Sequence, residues 1–169
     1  KQHSYLRKFE DTIKGIFNFY HQSFKRRREV KAIAAVLEED LAHISGVKQV
    51  RWLASKTRAV KSLLQNLTMI SSHLEHAASR NSSDEAAKAK GYLREVSSVK
   101  FVMMLHAMCD IFEITASLSE VFQQDDLLLT EVYGKVETHV LRLEELKHER
   151  GPKLKVYFLA LFLVLRGSS

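Results

Sequence analysis

The 169-residue chain is 46% hydrophobic, which suits one domain with a buried core and excludes a compositionally disordered protein. One Pro and six Gly are too few for the many turns of a β-sandwich or barrel, and Cys109, the single cysteine, excludes an internal disulfide framework and indicates a reducing compartment. The formal net charge of +6 is concentrated at the start, because residues 1–61 contain 14 Lys and Arg against 6 Asp and Glu, and such a positive field favours polyanions.

Two helices are predicted in this basic region. Apolar residues recur at spacings of three and four over residues 5–21, which predicts the first helix. A second apolar stripe predicts a helix over residues 24–45, with Ser23 as its N-cap and Gly46 just after its end.

A third helix is predicted to follow a short connection and to end near residue 78. Ser55 is its predicted N-cap, and the helix is long enough for a break near Asn66 or Ser71. After it, the polar run at 79–83 is the clearest loop of the chain.

The second half of the chain contains two more helical regions. Ser82 and Glu85 have the spacing of a capping box for a fourth helix, which Ser97-Ser98 interrupts before a long apolar stretch to Phe122. Thr130 is the predicted N-cap of a final helix, which Gly151-Pro152 ends. The sequence therefore predicts an all-α fold, a multi-helix bundle of about five to seven helices over residues 1–151.

The segment 152–169 has a different character, because residues 156–165 are apolar throughout. Ten residues span about 15 Å as a helix, roughly half the hydrocarbon core of a bilayer, so an ordinary transmembrane segment and a membrane partner are not predicted. A buried strand, a helix end and a sequence foreign to the parent fold all remain open for this tail.

A cluster of cations near the start of the second predicted helix is the leading candidate for a binding surface. A solvated helix face is the simplest explanation, but four cations at a helix start oppose the helix dipole, which favours an anionic partner. The candidate nucleic-acid-binding residues are Lys25, Arg26, Arg27, Arg28, Lys31, Arg51, Trp52, Lys56 and Arg58. Nearby aromatic residues could stack on bases, although most have core spacing: Phe17, Phe19, Tyr20 and Phe24.

Metal binding and catalysis find little support in the sequence. His73-Leu74-Glu75-His76 and His106-Ala107-Met108-Cys109-Asp110 carry metal-capable side chains, but neither spacing is a complete zinc-ligand set. No nucleophile elbow, phosphate-binding glycine loop or Cys-x-x-Cys pair is present. We therefore predict no metal, no cofactor and no enzymatic activity.

Three segments, in this order, carry a resemblance to a known family: Phe17-Asn18-Phe19-Tyr20 with its basic sequel at 25–28, the Arg51-Trp52 pair with the helix that follows it, and Ala87-Lys88-Ala89-Lys90-Gly91 followed by Phe101-Val102-Met103-Met104-Leu105-His106. Over most of residues 9–150 the chain resembles the hAT (hobo/Activator-type) DNA transposases, especially their domesticated relatives among vertebrate zinc-finger proteins. The resemblance implies a fragment of a ribonuclease-H-like transposase with its helical insertion. The catalytic carboxylates of that family would lie outside such a fragment, so no residue here inherits a catalytic role.

These observations lead to one functional hypothesis and its alternatives. The chain is expected to be a non-catalytic, transposase-derived module that binds DNA through its basic first third. The alternatives are a scaffold for a protein partner or a homo-oligomer, and a truncated relic without a selected activity. No signal peptide opens the chain, so an intracellular protein is expected, nuclear by resemblance with the cytoplasm as the alternative.

Overall fold

The computed structural model describes residues 2–36, 52–80, 84–123 and 128–167. Within these ranges the chain is α-helical and contains no β-strand. The described helices are α1 (Gln2–His21), α2 (Phe24–Val36), α3 (Trp52–Gln65), α4 (Leu67–Ser79), α5 (Asp84–Val96), α6 (Val99–Val121), α7 (Leu129–His148) and α8 (Pro152–Gly167). The all-α prediction is therefore confirmed.

Two predicted breaks account for most of the difference between five predicted helices and the eight described ones. The third predicted helix is divided at Asn66, whose buried side chain donates from Nδ2 to the Ser62 carbonyl oxygen at 2.7 Å. The fourth is divided at Ser97-Ser98, where the Ser98 hydroxyl accepts from the backbone N–H of Phe101 at 3.2 Å and so caps α6. The eighth helix is the apolar tail.

The predicted helix caps had mixed outcomes. Ser23 caps α2 as expected, since its hydroxyl accepts from the backbone N–H of Arg26 at 3.3 Å. The caps predicted at Ser55 and Thr130 are wrong, because α3 begins at Trp52 and α7 begins at Leu129. Packing of an apolar face stabilises a helix more than a cap does, so a residue that can form a cap does not by itself fix where a helix starts. The capping box at Ser82 and the continuation of the second helix beyond 36 lie outside the described residues.

The main hydrophobic core is formed by α1 to α5 together with the N-terminal part of α6. The α1 face carrying Phe9, Ile16 and Tyr20 is buried, and the rings of Phe9 and Phe101 meet with centroids 5.1 Å apart. The N-terminal part of α6 therefore packs inside this core, whereas α7 packs on its C-terminal part, where His139 Nε2 and Ser117 Oγ are 3.2 Å apart. Among the described helices, α6 is the one long and apolar enough to cross a bilayer. Buried core helices of globular proteins have the same length and composition.

The apolar tail is an α-helix that is joined to α6 through Asp110. The buried carboxylate of Asp110 accepts from the backbone N–H groups of Lys153 at 3.0 Å and Leu154 at 3.1 Å, in the first turn of α8. Pro152 begins the helix, where its missing N–H costs nothing. Gly151 lies directly against Asp110, since a Cβ atom at Gly151 would be 2.3 Å from Asp110 Oδ2. The strand alternative for the tail is therefore wrong, and α8 is a capped helix packed on α6.

Candidate nucleic-acid interface

Helix α2 has one face toward the protein and one toward solvent. Val30 is fully buried, and Arg26 and Glu29 are partly buried on the same side. Lys25, Arg27, Arg28 and Lys31 are exposed. We call these four residues the cationic face of α2. Since Arg27, Arg28 and Lys31 recur at helical spacings, they form a continuous strip along the outer side of the helix.

Arg26 is a structural residue. Its Nε is 2.6 Å from Glu85 Oε1 on α5, and its Nη1 donates to the Phe19 carbonyl oxygen on α1 at 2.5 Å. The guanidinium also lies 4.0 Å from the centroid of the Phe19 ring. The hydrogen bond from Arg26 lowers the pKa of Glu85 below its ordinary value. This arginine thus joins three helices, a use that the basic run alone did not indicate.

The candidate residues at and after the start of α3 have different environments. Lys56 forms an ion pair with Glu10 on α1, and its side chain is 16% exposed, so it also joins two helices. Arg58 is exposed on α3. Arg51 and the side chain of Trp52 lie outside the described residues, so the predicted role of this pair stays a prediction.

The aromatic residues near the cationic face differ in their exposure to solvent. Phe17, Phe19 and Tyr20 are buried in the core, as their spacing indicated. Phe24 is 86% exposed, and the guanidinium carbon of Arg27 lies 4.4 Å from the centroid of its ring. Of these four aromatic residues, Phe24 is the one available to a ligand.

A buried polar chain holds α2 against α4. The neutral imidazole of His73 on α4 accepts from the Tyr20 hydroxyl at Nδ1, with the atoms 3.0 Å apart, and donates from Nε2 to Glu29 of α2 at 3.1 Å. Glu29 also accepts from Arg80 at 2.8 Å. The side chain of His73 has no exposed surface, so its hydrogen bonds to Tyr20 and Glu29 replace those with water.

The pKa values of these groups agree with a structural role. Burial lowers the pKa of His73 below its ordinary value and raises the pKa of Tyr20. Burial also raises the pKa of Glu29, but hydrogen bonds from Arg80 and His73 outweigh that effect and hold it at about 2. At neutral pH the hydrogen-bonded set therefore consists of a protonated Tyr20, a neutral His73 and an ionised Glu29. These hydrogen bonds orient α2 with its cationic face outward. Sequence reasoning missed this chain because its members are 44 and 53 residues apart.

The metal-capable side chains do not converge. Within the described residues, no three His, Cys, Asp or Glu side chains form a group that could hold a metal ion. Cys109 is buried, which raises the pKa of its thiol to about 11. Asp110 accepts from the first turn of α8, and His106 stacks on Tyr157 with centroids 5.0 Å apart. Asp110 and His106 therefore contribute to the contact between α6 and α8, and Cys109 belongs to the main core.

No protein-family model and no solved structure matches the chain.

Proposed function

We propose that the chain is a non-catalytic helical module that binds nucleic acid through the cationic face of α2. The observation that carries the proposal is the exposure of Lys25, Arg27, Arg28 and Lys31, while the neighbouring Arg26 is committed to internal contacts. Its non-catalytic character remains a prediction from the sequence, in which no nucleophile elbow, phosphate-binding glycine loop or Cys-x-x-Cys pair occurs.

The placement of these cations is costly for the helix itself. Like charges crowd the first two turns of α2, close to the positive end of its dipole, where each cation costs about 0.3–1 kcal/mol. The seven residues from Lys25 to Lys31 rise by about 9 Å, and one strand of a duplex places a phosphate about every 3.4 Å along its axis. The face therefore matches about three consecutive phosphates.

The proposed origin is the helical insertion of a hAT transposase, within a ribonuclease-H-like parent. Its support is the order of the three sequence segments that resemble that family. A nuclear location follows from this origin, with the cytoplasm as the alternative. In this proposal Arg27, Arg28 and Lys31 are the residues that contact the phosphate backbone.

Salt dependence tests the proposal. Binding of a labelled duplex should weaken steeply between about 50 and 200 mM salt, because each neutralised phosphate adds about 0.9 to the slope of log affinity against log salt. Replacing Arg27, Arg28 and Lys31 by Ala should lower that slope by about 2.7. The matched control replaces Lys90, Arg94 and Arg142, which are exposed on α5 and α7, and removes the same net charge. Equal losses for the two triple variants would reject a local site.

A second candidate function, self-association, is favoured by one observation on α8. Val156, Leu159, Phe162 and Leu163 lie along one side of the helix and each is at least half exposed. We call them the α8 stripe. A stripe present on both copies is self-complementary about a two-fold axis. These side chains are only 50–66% exposed, so burying the rest of each contributes roughly 1–2 kcal/mol, and eight of them from two copies are comparable to the entropic cost of association at about 4–15 kcal/mol.

The mass of the protein in solution tests this second function. Sedimentation equilibrium over a range of concentrations should show dimers, and Leu159→Glu should shift them to monomers. The control is Leu141→Glu on α7, which is similarly exposed but lies outside the α8 stripe. A wild-type chain that stays monomeric at every concentration would reject self-association.

A further inference from the structure

We infer that the cationic face of α2 is selective for single-stranded nucleic acid, because Phe24 provides a stacking surface for an unpaired base. This inference rests on the proposed function and names the class of nucleic acid that the same site takes. Its starting point is the 86% exposure of Phe24, the most exposed of the large hydrophobic side chains described.

The position of Phe24 on α2 places it on the cationic face. Arg27, Arg28 and Lys31 follow it at spacings of three, four and seven residues, which are the spacings of one side of an α-helix. The inner side of the same helix carries Arg26 and Val30. The exposed ring is thus in line with the cations that would hold phosphates.

Arg27 prepares the ring for stacking. Its guanidinium lies 4.4 Å from the ring centroid and covers one face, so it orients Phe24 through a cation–π contact. Since the side chain remains 86% exposed, the opposite face is open to a flat partner. A duplex offers no free base face along its length, whereas a single strand offers one at every nucleotide.

Paired aromatic and cationic groups are the combination by which proteins bind single strands without reading their sequence. The cations attract the phosphate backbone of the nucleic acid, and any base can stack on the phenylalanine ring. The site is therefore expected to accept DNA and RNA single strands of different sequence and to discriminate against a duplex.

Fluorescence anisotropy tests the inference with a labelled single strand of about 20 thymidine nucleotides and a mixed-sequence duplex of about the same length. Phe24→Leu keeps an apolar side chain and removes the π-face, so it should weaken single-strand binding by about tenfold and leave duplex binding and the salt slope unchanged. Phe24→Trp should retain single-strand binding. Phe122→Leu, which changes an exposed phenylalanine at the end of α6, is the matched control and should have no effect.

The possible outcomes separate this inference from the proposed function. If Phe24→Leu leaves single-strand binding unchanged while replacement of Arg27, Arg28 and Lys31 abolishes it, the inference is overturned and the proposed function stands. Equal wild-type affinity for the single strand and for polyglutamate would also overturn it, because charge would then be the recognised feature. If neither nucleic acid binds, both proposals fail.

Discussion

Gly151→Ala is expected to destabilise the protein because it places a methyl group inside the contact between α6 and α8. The new Cβ would be 2.3 Å from Oδ2, 2.4 Å from Cγ and 2.7 Å from Cβ of Asp110, all closer than real contacts allow. Asp110 cannot rotate away freely, since its carboxylate accepts from the N–H groups of Lys153 and Leu154. Either the cap of α8 is lost or the helix shifts on α6.

The size of the effect follows from these two costs. Loss of a side-chain cap costs about 0.5–2 kcal/mol, and forcing a methyl group into a packed site costs about 1–3 kcal/mol. Since the two responses are alternatives, the less costly one limits the effect, and we expect the free energy of unfolding to fall by about 1–3 kcal/mol. The assay is urea unfolding followed by far-UV circular dichroism, with Asp110→Ala and the double variant included.

Two other glycines provide the control. A Cβ at Gly91 on α5 or Gly134 on α7 would meet nothing within 4 Å, so alanine at either site should stabilise its helix by up to about 1 kcal/mol. In the double variant the effect of Gly151→Ala should shrink by at least about 1 kcal/mol, because most of the clash is with the Asp110 carboxylate. A Gly151→Ala protein as stable as the wild type, or strict additivity with Asp110→Ala, would refute the reasoning.

Three further predictions concern the first half of the chain. Arg26→Ala should lower the free energy of unfolding by about 1–3 kcal/mol, since it removes a charge-assisted hydrogen bond and the Phe19 contact. Arg28→Ala removes one cation near the positive end of the α2 dipole and should raise it by up to about 1 kcal/mol; thermal unfolding compares the two variants. The lowered pKa of His73 means that the folded protein binds fewer protons than the unfolded chain, so stability is complete above pH 6.5 and declines below it, and Glu29 adds a further decline from pH 4.5 toward 2. Urea titrations over this range should show a smaller decline below pH 6.5 for His73→Gln, and parallel curves would contradict the assignment. Trp52, the single tryptophan, should show blue-shifted emission that DNA does not quench if it anchors the start of α3; a red emission quenched by single-stranded DNA would indicate base stacking instead.

The helices were predictable because their apolar periodicity is local. The spacing of the buried α1 residues appears directly in the sequence, and so do the polar pairs at which helices divide, such as Ser97-Ser98. The all-α class needed no more than this periodicity and the scarcity of Pro and Gly. The Ser55 and Thr130 cap predictions are wrong because Ser and Thr also occur inside helices, so their presence alone does not mark a helix start.

The positive charge of the candidate site was predictable from the sequence. Which cations form internal contacts and which are exposed was not. Arg26 and Arg28 are equivalent in a basic run, and it is Glu85, 59 residues away, that turns Arg26 into a structural residue. Phe24 follows the buried Phe19 by only five residues, and its exposure depends on where α1 ends and α2 begins. Contacts between distant segments, such as Asp110 with Gly151, leave no local pattern to read.

The arrangement of α7 and α8 has a consequence for how the molecule opens. Both helices take α6 as their main packing partner, and most of their residues are exposed, whereas α1 to α5 share a core with each other. Backbone amides of α7 and α8 can therefore exchange their hydrogens through local detachment from α6, at a lower free energy than amides of α1 and α4, which exchange when the core itself opens. We therefore expect α7 and α8 to open at lower free energy than the core of α1 to α5, and a cut by a protease within either helix to leave that core folded.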